Sequence, residues 1–206
     1  LFHYQSDMED IMLRGTSLVL IILMGAFALT AQQDDGKVFP YPINQVTLDN
    51  GLKIVSIPFD SPGIIAYYTV VRTGSRNEIE PGKSGFAHFF EHMMFRGTEK
   101  YSKDDFNEML KSIGADNNAF TSDDQTVYHT LASADALATI MDMESDRFMN
   151  LKYSEEDFKT EAGAILGEYN KNFSSPFMTI REKMRDAAYE GHTYKHTTIG
   201  FMKDIE

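Results

Sequence analysis

The chain contains no cysteine. That excludes disulfide bridges, thiol nucleophiles and zinc–thiolate sites together. Any metal must be held by nitrogen and oxygen donors from His, Asp and Glu. A basic surplus is also missing: 19 Lys and Arg stand against 31 Asp and Glu, for a formal net charge of −12. Nucleic-acid phosphates demand a basic face, so this balance argues against such a partner and suits a soluble acidic surface. There are no repeats and no low-complexity tracts. The 206 residues are 42% hydrophobic, which supports an ordinary folded core in one domain or part of a larger one.

A long apolar run is lacking too. The stretch from Leu18 to Leu29 has 12 residues, whereas a membrane-spanning helix needs about 20. Met12 and Arg14 precede it, the small residues Ala26 and Ala28 lie at its end, and Ala31 follows. This is the pattern of a secretory signal. The expected organisation is a doubtful leader at 1–11, a signal peptide at 12–31, a polar linker at 32–43 and a folded part over 44–206. The expected location is exported, periplasmic or secreted, with no stable membrane span after cleavage.

Within the folded part, "QVTLDNGLKIVSI" reads as a hairpin turning at Asn50-Gly51. "GIIAYYTVVRTG", 63–74, is a continuous apolar run and predicts a strand buried on both faces. A loop leads to a helix around "GFAHFFEHMMF", and a short helix begins at Ser102 and stops at Gly114. "NNAFTSDDQTVYHTLA" predicts two strands about a polar turn. "SADALATIMDMESDRFMN" is an amphipathic helix. Another helix starts at Ser154, where Asp157 completes a capping box. Pro176 breaks the chain before a further helix over about 177–189. A sheet with helices packed on it is the natural architecture.

The helix around His88 carries the chemistry. At about 100° per residue, His88, Glu91 and His92 share one narrow strip, while Phe86, Ala87, Phe89, Phe90, Met93 and Met94 cover the rest. A helix so apolar is expected to be buried. Unpaired buried polar groups cost on the order of 1–3 kcal/mol each, so two His and a Glu there need a compensating partner. Two His at i and i+4 converge on one point, a spacing that zinc accepts. Glu91 lies about 80° to one side of the pair. That offset lets it take a proton from a metal-activated water without ligating the metal.

Catalytic zinc ordinarily has three protein ligands. The candidates for the third are His129, His192, His196 or a carboxylate. On the helix from Ser154, Phe158, Ala162, Ile165, Leu166 and Tyr169 form an apolar stripe, and Glu161 and Glu168 lie on its shoulder two turns apart. Spacing leaves Glu161 and Glu168 equal candidates.

The pairing of "HFFEHMMFRGTEKY" with "TEAGAILGEYNK" resembles the inverzincin zinc peptidases, among them pitrilysin, insulin-degrading enzyme and mitochondrial processing peptidase. "LDNGLKIV", "RTGSRNE", "IGADNNAFTSDDQTVYH" and "HTTIGFMKDIE" extend the likeness from about residue 44 to the end. The resemblance implies an α+β fold, a mixed and largely antiparallel sheet packed against helices, as the truncated N-terminal part of a pitrilysin-type metallohydrolase domain. It implies Zn2+ held by His88, His92 and Glu168, with Glu91 as general base. Glu161 would stand in support just outside the ligand set. Asn118, Ala119 and Phe120 would pair with an extended peptide substrate as an added strand. The implied function is hydrolysis of peptide bonds in peptides or unfolded protein segments. Family members close two similar halves around the substrate, so a second homologous half, on the same chain or a separate subunit, is the expected partner. The isolated 206-residue chain is then expected to be inactive. A non-catalytic relative serving as a binding or assembly subunit is the alternative. The intact His88, Glu91, His92 and Glu168 disfavour it. S-ribosylhomocysteine lyases share the inverted motif but need a cysteine, which this chain lacks.

Overall fold

A computed structural model describes residues 39–205. The expected leader at 1–11, the signal at 12–31 and the first part of the linker lie outside the described residues. The chain divides into two compact units, the first ending at Asp60 and the second beginning at Ser61.

The described part of the first unit is an antiparallel hairpin of β1 (Asn44–Thr47) and β2 (Lys53–Ser56), with Val46 opposite Ile54. Its turn spans residues 48–52. The amide of Gly51 donates to Leu48 O at 2.8 Å, and Asn50 Oδ1 accepts from the Leu52 amide at 3.1 Å. The expected Asn-Gly turn is therefore present, but within a wider loop than a two-residue connection.

In the second unit a three-stranded antiparallel sheet has the order β3 (Ile64–Val71), β5 (Thr126–Ser133), β4 (Asp116–Thr121). Helix α1 (Phe86–Met93) touches β4 and β5, and α3 (Leu137–Asn150) touches β3 and β5. Helices α2 (Lys103–Ser112), α4 (Glu155–Phe173), α5 (Pro176–Ala188) and the short α6 (Met202–Ile205) complete the unit. This is the expected α+β arrangement. Ser102 and Ser154 close reciprocal capping boxes with Asp105 and Asp157, and Pro176 opens α5. No helix among the described residues is long and apolar enough to cross a membrane.

One expectation fails. The strand at 63–74 is not buried on both faces: β3 alternates, with Ile64, Tyr68 and Val70 exposed. Helices cover only the face carrying Ile65 and Tyr67, and β3 is an edge of the sheet among the described residues. Its apolar run signals strand propensity, not two-sided burial.

The core lies between the sheet and α3, where Ala132, Ala136 and Ile140 pack together and Met143 meets Phe106 and Leu110. Arg147 is buried at its centre. It is held by both carboxylate oxygens of Glu144 at 2.7 Å, with its guanidinium 4.7 Å from the Tyr128 ring and 5.1 Å from Phe95. A separate cluster of Ile165, Tyr169 and Ile199 takes in Phe89. Phe89 also packs on Phe158 at 4.4 Å between ring centres. These contacts fix α1 against α4, the two helices that carry the inferred ligands.

Candidate metal centre

Helix α1 begins at Gly85, whose φ of 95° is one an L side chain rarely adopts. Glycine lacks a side chain to cap the helix, so the cap arrives from elsewhere in the chain. The Glu78 carboxylate accepts from the Gly85 and Ala87 amides, both at 2.7 Å. Burial pushes its pKa up to about 7, while these two amide bonds pull the other way.

One turn on, His88 and His92 lie face to edge with ring centres 4.7 Å apart. Glu168 reaches them from α4. Its Oε2 is 3.6 Å from His88 Nε2 and 3.6 Å from His92 Nε2, too long for hydrogen bonds. One donor atom from each of these three residues falls within 4.8 Å of the others. Ligands 2.0–2.2 Å from a tetrahedral ion stand about 3.4 Å from one another. The spacing therefore fits an ion at the centre, and the donor set of two imidazoles and a carboxylate suits zinc.

The electrostatics differ between the two imidazoles. Burial holds the His88 imidazole below its ordinary pKa, favouring the neutral form that metals require. The Glu168 carboxylate, then Glu161, hold His92 above its ordinary value, and His92 in turn holds Glu168 low. Three groups of mixed sign thus converge on one point.

Glu161 occupies the other side of His92. Its Oε2 is 3.2 Å from His92 Nδ1, and its Oε1 is 2.6 Å from Arg96 Nη2. In the tautomer whose Nδ1–H donates to Glu161, Nε2 presents its lone pair toward Glu168.

Glu91 is buried beside the site, and the Thr121 hydroxyl donates to its Oε2. Burial raises the Glu91 pKa, and the Thr121 bond opposes that shift. Thr121 ends β4, so the edge strand and the carboxylate meet directly. Asn118 and Phe120 are exposed on that strand, with Ala119 between them half-buried. β4 pairs only with β5 among the described residues.

The structure thus brings His88, His92, Glu168, Glu161 and Glu91 together and sets Asn118, Ala119 and Phe120 on the adjoining edge. It does not bring the other candidate histidines there. His129 stacks on Tyr68 at 5.6 Å, His192 accepts from the Tyr194 amide, and buried His196 has its Nδ1 3.0 Å from Thr197 O. The expectation of a fully apolar-buried helix also needs correction. Phe86 is 37% and Phe90 43% exposed, along a cavity of about 480 Å³ shared with Val71, Glu78, Thr126 and Tyr128, whereas Glu91 is 9% exposed. Helix α1 turns its polar strip toward β4 and α4, so the polar side is the more enclosed one.

Three contributors escaped the sequence reading. Glu78 stood inside "RTGSRNE" without a role, Thr121 directly follows Phe120, and Arg96 is four residues beyond His92. The i+4 spacing of Arg96 was the one available signal.

The family described as Insulinase (Peptidase family M16) matches residues 65–200. A zinc protease from Helicobacter pylori named PqqE is 34% identical over 196 residues, covering 94% of this chain and 43% of that protein. The beta subunit of the mitochondrial-processing peptidase of Rattus norvegicus is 33% identical over 173 residues, 82% of this chain and 34% of that one. Among solved structures, a protease from Helicobacter pylori superimposes with a TM-score of 0.78 at 33% identity, covering 81% of this chain and 40% of the other. The first half of the periplasmic protease PqqL from Escherichia coli gives 0.70 at 27% identity, covering 79% and 36%. The chain thus spans less than half the length of these relatives. With the family matched across most of the sheet and both helices of the candidate site, this chain belongs to the insulinase family of peptidases, M16.

Proposed function

We propose that this chain supplies the metal-binding half of a zinc metallopeptidase that hydrolyses peptide bonds in peptides or unfolded protein segments. The observation that carries the reading is the convergence of His88 Nε2, His92 Nε2 and a Glu168 oxygen, with the buried Glu91 carboxylate alongside. His88, His92 and Glu168 would hold Zn2+. Bound there, the ion would supply Lewis-acid chemistry of the kind that polarises a carbonyl and lowers the pKa of water. Glu91 accepts the proton of the attacking water and delivers it to the amine that leaves. Its raised pKa suits both transfers. Glu161 holds His92 in the tautomer that offers Nε2.

Asn118, Ala119 and Phe120 receive the extended substrate as an added strand on the open edge of β4. Backbone bonds there give affinity without demanding one sequence. A second, homologous half completes the enclosure around the peptide. The solved E. coli relative is itself described as the first half of a protease, which supports that arrangement. Residues 44–206 form part of the peptidase domain, 32–43 link it to the segment before it, and 12–31 serve as a cleaved export signal. The same E. coli relative is described as periplasmic, which favours a periplasmic or secreted location.

Glu91→Gln tests the reading in the intact protein. Zinc content should stay at the wild-type level, and peptide hydrolysis should fall on the order of 10²–10⁴-fold. Hydrolysis at the wild-type rate would remove Glu91 from the mechanism.

A further inference from the structure

We infer that Arg96 is a positioning residue of the zinc site, acting through Glu161 on His92. The inference rests on the reading of His92 as a zinc ligand. Arg96 lies three residues beyond the end of α1, where its amide donates to Met93 O at 3.0 Å. Its side chain turns back across the gap to α4 and is only 13% exposed. There Nη2 meets Glu161 Oε1 at 2.6 Å, and Nη1 stands 3.5 Å from Asp157 Oδ1. Asp157 is itself fixed as the capping-box partner of Ser154. One guanidinium therefore joins the first turn of α4 to the carboxylate one turn later.

Glu161 has two oxygens and two duties. Oε1 is taken by Arg96, and Oε2 faces His92 Nδ1 at 3.2 Å. The Glu161 side chain is 13% exposed, a position where a carboxylate without a cation is costly. Arg96 offsets that cost and fixes which oxygen points at the imidazole. His92 then donates from Nδ1, and its Nε2 is aimed at Glu168 and His88. A lysine can supply the charge but not the planar fork that spans Glu161 and Asp157 together. Arg96 touches neither substrate nor metal in this arrangement; it sets the angle of a group that does.

Zinc affinity, read by competition with a chelating indicator on the intact protein, tests this. Partners one step behind a metal ligand ordinarily change affinity by roughly 10–100-fold. R96M should weaken zinc binding within that range, and R96K should recover part of the loss. E161Q should weaken binding comparably, and R96M/E161Q should bind no more weakly than the poorer single variant, because both remove one chain of contacts. A merely structural arginine would not show that non-additivity. The inference is overturned if R96M binds zinc as wild type does, or if the losses of R96M and E161Q multiply. If R96M does not fold, R96K alone and with E161Q gives the same comparison with the same two outcomes. His92→Ala, measured in parallel, separates the premises. Loss of zinc there with wild-type binding in R96M sinks the role of Arg96 alone. Retained zinc in His92→Ala sinks the metal-site reading and this inference with it.

Discussion

Thr121 donates its hydroxyl proton to Glu91, joining the last residue of β4 to the carboxylate of α1. The bond stabilises the ionised form of Glu91 and fixes which oxygen stays free. Because β4 is the strand proposed to receive substrate, the orientation of the proposed base would depend on the same segment that binds the peptide. Removing the hydroxyl with Thr121→Val should lower kcat about 10–100-fold, the worth of a hydrogen bond to a charged group, and leave zinc affinity unchanged. Thr121→Ser should restore most of the rate. Steady-state kinetics with a zinc titration decides it; an unchanged kcat in Thr121→Val would mean that Glu91 needs no such support.

Among the described residues, Glu168 is the only acid facing both imidazoles at the inferred metal position. A ligand that binds the folded state alone stabilises it by mass action. Saturating zinc should therefore raise the Tm of the metal-free protein. In Glu168→Ala the rise should vanish. Thermal unfolding of both proteins with and without zinc is the measurement, and an equal rise in the variant would exclude Glu168 from the ligand set.

Much of this arrangement is legible in the sequence because it depends on local rules. The i, i+4 histidines, the offset of Glu91 and the capping box at Ser154 follow from helix geometry alone. The choice between Glu161 and Glu168 does not. Both lie on one shoulder of α4, and only the crossing of α4 over α1 sets one beside Nδ1 and the other beside Nε2 of the same histidine. Thr121 was hidden for the same reason, since it acts on α1 from a distant segment, whereas Glu78 lies only seven residues before Gly85 in a loop whose path no helix rule gives. The burial of β3 was misread because an apolar run records strand propensity on both faces, whereas helices cover only one.

Glu78 gives the protein a defined pH dependence. Its pKa rises from an ordinary 4.5 to about 7 on folding, chiefly through burial. Between those values the folded state holds more of the proton than the unfolded state does. Stability must then fall as pH rises through that window and level off above it. Across the full window this amounts to about 3 kcal/mol at most. His196, with Nδ1 3.7 Å from the carboxylate, and Asp204 are the ionisable groups around it, so the comparison must isolate Glu78 itself. Denaturant unfolding of wild type and Glu78→Gln at pH 5 and pH 7.5 does so. Wild type should lose stability relative to the variant on going to pH 7.5, and a relative gain would reverse the assignment.

Gly85 and Gly114 both adopt left-handed backbone, with φ of 95° and 62°, yet they should respond differently to substitution. Around Gly114 a Cβ would meet nothing within 4 Å. Gly114→Ala therefore carries only the conformational penalty, about 1–2 kcal/mol. A Cβ on Gly85 would run into the Ile199 carbonyl, which is backbone and cannot swing aside. Gly85→Ala must push residues 199–200 away from the start of α1, loosening Ile199 from Ile165 and Tyr169. It should cost more stability than Gly114→Ala and also weaken zinc binding, because His88 lies one turn into the displaced helix. Gly114→Ala should leave zinc affinity at the wild-type level. Parallel denaturation and zinc titrations of the two variants test the contrast, and equal effects on zinc binding would show that the 199–200 segment does not position the metal helix.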